Sequence, residues 1–384
     1  MPYRKEHKSA LNVMGGVEQP SQINEAAIRK LKSGRSKPLS AEDFVAGIRE
    51  GNRTILSKAI TLVESSLHSH QEKAQEIIAQ CLAVSSQQSA SSIPHPTSHI
   101  PHPTSHIPGS IRIGITGVPG VGKSTFIEVF GKYLTAQGHK LAVLAIDPSS
   151  SRSRGSILGD KTRMEELAND PHAFIRPSPS AGSLGGVARK TRETIILCEA
   201  AGFDVILVET VGVGQSETAV HSMVDFFLLL MLAGAGDELQ GIKRGIIEMA
   251  DAIFINKADG ENIRRAQMAE REYTNALHLY PPPESGWKVP VGLCSSLNRE
   301  GIREVWDTIM EYRELTLRNG YFGTNRKQQN LHVLHETIDE ALKSRFHSRK
   351  EIQNGLSRLE KEIMEGSISP YLAAKELLES YYSK

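Results

Sequence analysis

One glycine-rich stretch, GVPGVGKS at residues 117–124, limits the folds open to this chain. The run before it, IRIGITG, is short and rich in β-branched residues, as expected of a buried strand. The segment after it, residues 123–137, is predicted to be a helix. A strand, a tight turn and a helix in succession begin a βαβ unit, so the sequence predicts a parallel sheet flanked by helices.

Four further apolar runs continue this pattern along the chain. They are KLAVLAID, DVILVET, FFLLLMLAG and DAIFINK, and helical segments separate them. Runs that are apolar on both faces belong to strands buried between two layers of helices. The sequence therefore predicts the α/β fold class, with a doubly wound, mostly parallel sheet flanked by N-terminal helices and a C-terminal helical arm.

The composition argues against several classes of partner. Lys and Arg number 45 and Asp and Glu 44, so the net charge of +1 gives no electrostatic indication of nucleic-acid or membrane binding. The longest apolar run is too short to span a bilayer. The three cysteines have no paired spacing and the N-terminus has no apolar signal-peptide core, so we expect a reducing compartment, the cytoplasm.

Changes in composition divide the chain into five predicted segments. Residues 1–38 are predicted to be a flexible N-terminus, and residues 39–84 carry helical patterns. Residues 85–110 contain the sequence IPHPTSH twice, and this density of proline predicts an extended linker rich in Pro, His and Ser. Its four histidines fit either a weak metal-binding tract or a duplicated spacer, and the lack of nearby acidic or cysteine ligands favours the spacer. Residues 111–327 form the predicted α/β domain and residues 328–384 the helical arm.

The C-terminal arm shows amphipathic helices and no strand pattern. Apolar residues recur at spacings of three and four in two runs, the first formed by Leu331, Leu334, Ile338, Leu342 and Phe346 and the second by Ile352, Leu356, Leu359 and Ile363. Ser369 and Pro370 are the predicted cap and first residue of a further helix. Because these apolar faces have no strand to cover, they need either the main domain or a second copy of the chain, and dimerisation is the favoured interpretation.

The glycine-rich stretch also predicts a ligand. It has the pattern of a P-loop, in which backbone N–H groups and the start of a helix surround phosphate oxygens. Lys123 is predicted to reach the outer phosphates, and the hydroxyl of Ser124 is predicted to bind Mg²⁺. The predicted phosphate-binding residues are Gly117, Val118, Pro119, Gly120, Val121, Gly122, Lys123, Ser124 and Thr125.

A second motif, NKAD at residues 256–259, indicates which base is bound. After a buried strand, Asp259 can accept hydrogen bonds from both the N1–H and the amino group of guanine, a pair that adenine does not offer. Asn256 opens the motif, and Lys257 is predicted to cover the base with its aliphatic stem. Ser295 and Ser296 follow the next strand and are expected beside the guanine O6. The predicted nucleotides are therefore GTP and GDP.

Three carboxylates stand at strand ends or in the loops between strands. Glu209 ends the strand VILVE, where other GTPases place an Asp that holds the water shell of Mg²⁺. Asp160, in ILGDKTRM, is a second candidate for the metal. Asp147 ends LAVLAID and resembles an Asp of the nitrogenase-iron-protein and signal-recognition classes that helps to place the attacking water. Together with Lys123, these three are the candidate catalytic residues.

Seven motifs occur together and in order, and their combination resembles one family. They are GITGVPGVGKST, LAIDPSS, GSILGDKTRM, RPSPSAGSLGGVA, GFDVILVETVGVGQSE, AGAGDELQGIKRGI and NKAD. The set resembles the methylmalonyl-CoA mutase-associated GTPases, a branch of the metal- and cobalamin-chaperone GTPases. The likeness covers residues 40–84 and 111–384, and the linker between them is a departure from the family pattern.

This resemblance implies a function and partners. It implies a homodimeric, Mg²⁺-dependent GTPase that docks on an adenosylcobalamin-dependent acyl-CoA mutase. The GTPase would gate cofactor loading from an adenosyltransferase and would protect or reactivate the mutase. No cobalamin is expected on this chain alone. The resemblance also assigns a partner-responsive switch to Asp237, Glu238, Gln240 and Lys243, in the loop after the strand FFLLLML.

Three other functions account for parts of the sequence. A nickel-insertion GTPase for hydrogenase or urease would explain the histidine-rich linker, but Cys198 and Cys294 show no Cys-Pro-His arrangement. A kinase of a transport system would use the P-loop, but NKAD favours GTP over ATP and no acceptor-binding feature is evident. A nucleotide-dependent scaffold without hydrolysis is disfavoured by the three carboxylates near the phosphates.

Overall fold

The computed structural model describes residues 39–91, 109–146, 164–177, 184–210, 216–234 and 244–382. Within these ranges seven strands form one sheet, and helices cover both of its faces. The strands are β1 (Ile111–Gly117), β2 (Leu141–Ile146), β3 (Ala173–Arg176), β4 (Val205–Thr210), β5 (Phe226–Leu232), β6 (Ala252–Asn256) and β7 (Val291–Leu293).

The helices in the same ranges surround the sheet and continue beyond it. They are α1 (Ala41–Arg49), α2 (Arg53–Glu64), α3 (His68–Ser91), α4 (Lys123–Ala136), α5 (Glu165–Ala168), α6 (Leu184–Ala200), α7 (Ser216–His221), α8 (Arg244–Met249), α9 (Ile263–Leu277), α10 (Ile302–Arg318), α11 (Tyr321–Ser348), α12 (Lys350–Met364) and α13 (Pro370–Tyr382). None of these helices is both long and apolar enough to cross a bilayer.

The seven strands are all parallel, in the order β3–β2–β4–β1–β5–β6–β7. The chain leaves β1 towards one side of the sheet, returns with β4 beside β1, and then continues to the other side. The prediction of a doubly wound α/β fold is confirmed. Such a reversal opens a crevice at the carboxyl ends of the central strands, where this fold binds ligands. In the register, Glu209 of β4 lies opposite Ile115, and Leu230 of β5 lies opposite Gly117.

Burial on both faces explains why the apolar runs are continuous. The first six residues of β5 and the first four of β4 are buried. On one face, Phe126 and Phe130 of α4 pack against β1 and β5. On the other face, Phe227 packs with residues of α6 and of the N-terminal helices. The sheet is therefore the middle layer of three.

The N-terminal helices share a core with the α/β domain. A capping box forms between Ser40 and Asp43 at the start of α1, as the sequence predicted. Ile60 of α2 lies in the same buried cluster as Leu197 of α6. The guanidinium of Arg53 donates to backbone carbonyls just before and within β3. Helix α3 extends to residue 91, past the predicted start of the linker, and residues 92–108 lie outside the described ranges. The five-segment division stays a prediction.

The helical arm begins at the amino-terminal edge of the sheet. Arg326 of α11 donates to both carboxylate oxygens of Asp225, at 2.7 and 2.6 Å, and to the carbonyl of Ser110 at 2.9 Å. We call these three residues the arm clasp. Gln329 adds a bond from Nε2 to the carbonyl of Val224 at 2.7 Å. Because Ser110 immediately precedes β1 and Asp225 precedes β5, the clasp fixes the arm to the two central strands.

Candidate nucleotide-binding site

Three glycines give the P-loop its shape. A Cβ on Gly117 would lie 2.3 Å from the carbonyl oxygen of Leu230, so only glycine fits this close approach between β1 and β5. Gly120 and Gly122 have positive φ, at 78° and 92°, which favours glycine. In the described structure no side chain caps α4 at Gly122. The N–H groups at the start of α4 are therefore available to an anion.

Lys123 lies across this loop. Its Nζ donates to the carbonyl oxygens of Gly117 at 2.8 Å and Val118 at 3.5 Å. Burial lowers the pKa of Lys123, and the charges of Glu209 and Glu217 oppose that shift. The ammonium group is thus held by loop carbonyls that phosphate oxygens can replace.

Ser124 and Glu209 meet at the carboxyl edge of the sheet. The hydroxyl of Ser124 donates to Oε1 of Glu209 at 3.3 Å. A hydroxyl and a carboxylate this close suit Mg²⁺, which prefers oxygen ligands and usually binds few protein groups together with waters and phosphates. The described residues contain no group of three or more His, Cys, Asp and Glu side chains that could hold a metal. Asp147 and Asp160, the other predicted carboxylates, lie outside the described ranges.

The NKAD segment is tied to the P-loop by its first two residues. Nδ2 of Asn256 donates to the carbonyl of Val121 at 2.9 Å. Oδ1 of Asn256 accepts two hydrogen bonds from Ser296, one from the backbone N–H at 3.2 Å and one from the hydroxyl at 3.0 Å. Lys257 has a φ of 58°, and its Nζ donates to the carbonyl of Gly120 at 2.9 Å. The aliphatic stem of Lys257 therefore runs from the end of β6 to the P-loop, where it would flank a bound base.

Asp259 is held by its neighbouring loop. The hydroxyl of Ser295 donates to Oδ2 of Asp259, and the same hydroxyl accepts the N–H of Asn298 at 3.1 Å. A backbone bond from Ala258 to the carbonyl of Cys294, at 3.0 Å, joins the two loops. These contacts hold the Asp259 carboxylate against the loop that follows β7.

The structure brings most of the predicted site residues to one edge of the sheet. The P-loop residues, Glu209, the NKAD residues and the two serines all lie there. Several other predicted residues lie outside the described ranges, namely Asp147, Asp160, Asp237, Glu238, Gln240 and Lys243. The functional roles of all these residues stay predictions.

Two features of the site were missed from the sequence. Glu217, in the first turn of α7, is only 2% exposed, and its charge acts on Lys123. The hydroxyl of Thr210 donates to that of Thr116 at 2.8 Å and joins β4 to β1 beneath the site. The sequence signal for Glu217 is the apolar Val220 three positions later, since residues at this spacing share one face of a helix, and the structure buries both.

Comparison with known proteins identifies relatives along nearly the whole chain. Residues 103–351 match the family described as methylmalonyl Co-A mutase-associated GTPase MeaB. A probable GTPase of Mycobacterium tuberculosis is 46% identical over 340 residues, which cover 88% of this chain and 95% of that protein. The mitochondrial methylmalonic aciduria type A homolog of Mus musculus is 45% identical over 338 residues, covering 88% and 79%. The crystal structure of an LAO/AO transport system kinase matches with a TM-score of 0.68 and 33% identity, covering 90% of this chain and 100% of that one.

The family match covers more than half of the chain, and relatives named as GTPases align with most of it. The predicted resemblance and the prediction of a GTPase are both confirmed. The chain belongs to the MeaB family of methylmalonyl-CoA mutase-associated GTPases.

Proposed function

We propose that this protein is a GTP-hydrolysing chaperone of an adenosylcobalamin-dependent acyl-CoA mutase, with methylmalonyl-CoA mutase as the first candidate. It docks on the mutase, gates the loading of cofactor from an adenosyltransferase, and protects or reactivates the enzyme. The observation that carries this proposal is the match of residues 103–351 to a family described as mutase-associated. The relation to the methylmalonic aciduria homolog supports it. The cytoplasm stays the predicted compartment.

The P-loop supports nucleotide binding by exchanging internal contacts for phosphate contacts. Lys123 Nζ now bonds to the carbonyl of Gly117, a neutral acceptor. A phosphate oxygen carries charge and is the stronger acceptor, so we expect the ammonium to turn to it. The free N–H groups at the start of α4 add further donors without any rearrangement of the helix.

The metal site and the carboxylates support hydrolysis of GTP to GDP and phosphate. Ser124 and Glu209 would hold Mg²⁺, which neutralises charge on the phosphates when it is bound. Lys123 stabilises the negative charge that spreads over the γ-phosphate oxygens as the bond to the leaving group breaks. We assign the placement of the attacking water to Asp147 and a second metal contact to Asp160.

The connection from β5 to the P-loop supports a switch that responds to a partner. The sequence after strand β5 continues through residues 236–245, which include Asp237, Glu238, Gln240 and Lys243. In the same strand, the carbonyl of Leu230 lies in close contact with Gly117 of the P-loop. A mutase bound to these residues would therefore act next to a strand that contacts the P-loop.

One face of the arm supports a homodimer. Leu331, Leu334, Ile338 and Leu342 of α11 are between 47% and 58% exposed and lie at helical spacing. We call these four residues the α11 stripe. An exposed apolar stripe of this length on a helix is stabilised when a second copy covers it. Sedimentation of Leu334→Asp, compared with Lys343→Asp elsewhere on α11, tests this, and a wild-type monomer at micromolar concentration would contradict it.

The decisive experiment measures GTP hydrolysis with and without purified adenosylcobalamin-dependent mutases, with ATP as the control nucleotide. We expect the mutase to stimulate hydrolysis of GTP and to leave ATP untouched. Gln240→Ala should retain intrinsic hydrolysis and lose the stimulation, because Gln240 is predicted to respond to the partner and is not among the residues predicted to contact the phosphates. If no such mutase binds the protein or changes its rate, the chaperone function is wrong even though the GTPase stands.

A further inference from the structure

A cavity of about 400 Å³ lies where the N-terminal helices, the α/β domain and the arm meet. Helix α3 contributes Ile78, α6 contributes Ile196, α7 is followed by Met223, and α11 contributes Val333. Arg112, at the start of β1, also lines it, so the cavity is near the amino-terminal edge of the sheet. The nucleotide site lies at the opposite edge, and the two are separate.

Two buried side chains on the cavity wall have unmatched polar atoms. Arg192 of α6 and Gln329 of α11 are each 9% exposed. One nitrogen of Arg192, Nη2, donates to the hydroxyl of Ser222 at 2.5 Å, and Nη1 donates to Glu336. Within the described part of the chain, Nε of Arg192 and Oε1 of Gln329 have no hydrogen-bond partner. Buried polar atoms of this kind are normally satisfied by water or by a ligand.

Three guanidinium groups line the cavity, and each has a carboxylate partner. The pairs are Arg112 with Glu199, Arg189 with Glu193, and Arg192 with Glu336. The side chains of Glu199 and Glu193 are 21% and 15% exposed, whereas that of Glu336 is 39% exposed. Oε1 of Glu336 also lies 3.3 Å from Nε2 of His332, one turn earlier on the same helix, so Glu336 has a second polar neighbour besides Arg192. It is therefore the carboxylate that an incoming anion displaces most easily.

We propose that this cavity binds a small amphipathic anion, a carboxylate or a phosphate monoester with a short aliphatic body. The anionic group takes the place of Glu336 on Arg192, and the aliphatic body packs against Ile78, Ile196 and Met223. The volume is at the small end of the range of ligand sites, which limits the body to a few carbons. Because Glu336 belongs to α11, the ligand competes with one contact that seats the arm.

The test uses the full-length protein saturated with GDP and Mg²⁺, so that the P-loop cannot bind the added anions. Hexanoate and hexyl phosphate are titrated by calorimetry. Hexanol is the control for the aliphatic body without a charge, and inorganic phosphate is the control for the anionic group without an aliphatic body. We expect saturable binding of one or both amphipathic anions, and the stronger one identifies the head group. Arg192→Gln should weaken that binding about tenfold or more, since a charged hydrogen bond is lost. Glu336→Gln should strengthen it, because the competing carboxylate is gone.

Arg303→Gln is the matched control, because Arg303 is an exposed arginine of α10 paired with Asp307. If Arg192→Gln does not fold, the affinity of Glu336→Gln for the anions decides whether the proposal holds. A damaged fold would lower that affinity, so an increase can come only from removal of the competing carboxylate. The proposal is overturned if neither anion binds saturably, which would leave water as the occupant. It is also overturned if hexanol binds as tightly as hexanoate, or if Glu336→Gln leaves the affinity unchanged.

Discussion

Asp251, immediately before β6, is expected to make the stability of the fold depend on pH. Its carboxylate accepts the N–H of Phe227 at 2.8 Å. Burial, together with the nearby charge of Asp225, raises the pKa of Asp251 from 3.8 to about 7. Between these values the unfolded chain has released the proton and the folded chain retains it, so stability falls as the pH rises. Each unit of pKa is worth about 1.4 kcal/mol, so the penalty above pH 7 is about 4 kcal/mol.

Asp251→Asn removes the charge and keeps an oxygen that can accept the N–H of Phe227. We expect the variant to be more stable than the wild type by about 2–4 kcal/mol at pH 8, with a smaller gap at pH 5. Urea unfolding followed by circular dichroism from pH 5 to pH 8 measures this gap. The exposed Asp307 provides a control, because Asp307→Asn should change stability by no more than about 0.5 kcal/mol at any of these pH values. A gap that does not grow with pH, or a variant that is less stable at pH 8, would refute the reasoning.

Three further predictions concern the nucleotide site. Lys123→Ala should abolish nucleotide binding, whereas Glu209→Ala should impair hydrolysis more than binding. Binding of a fluorescent GTP analogue and single-turnover hydrolysis measure the two effects separately. Equal losses of binding and hydrolysis in Glu209→Ala would contradict the role of Glu209. Asp259→Asn should weaken GTP binding about a hundredfold. It should weaken the binding of inosine triphosphate less, because inosine lacks the amino group whose hydrogen bond Asp259 is predicted to accept. Equal losses for the two nucleotides in competition assays would exclude the guanine contact. Gly117→Ala should destabilise the fold by about 1–3 kcal/mol, since its Cβ would lie 2.3 Å from a carbonyl oxygen of β5. Thermal unfolding measures this loss. Gly323→Ala is the control, because its Cβ would meet open space in helix α11, and it should leave stability unchanged or raise it by up to about 1 kcal/mol.

The strands and the phosphate loop could be predicted because their signals are local. The run Phe226–Leu232 is apolar at every position, and the structure buries it on both faces. Gly120 and Gly122 of the P-loop are required by their own positive φ, and they stand in a short motif that can be recognised in the sequence, although the close approach at Gly117 is to the distant Leu230. A local pattern of this kind determines both the element and its neighbours, so the fold class and the family followed from short stretches of sequence.

The rest of the architecture depends on contacts between distant residues. Arg326 lies about a hundred positions after Asp225, and nothing near either residue indicates their pairing. The cavity is lined by helices from three segments of the chain, and the charge of Glu217 matters only because α7 folds back towards Lys123. Packing, rather than local pattern, creates such features, and a single sequence does not reveal it.

The arm clasp has a consequence for how the protein can work as an assembly. Arg326 holds the arm where β1 begins, and the P-loop follows where β1 ends, seven residues further on and about 20 Å away. A second copy that covers the beginning of the arm would therefore lie at one end of β1, and the proposed nucleotide site lies at the other. In the proposed homodimer, exchange of GDP for GTP would not require the two copies to separate, so a single complex could pass through many rounds of turnover.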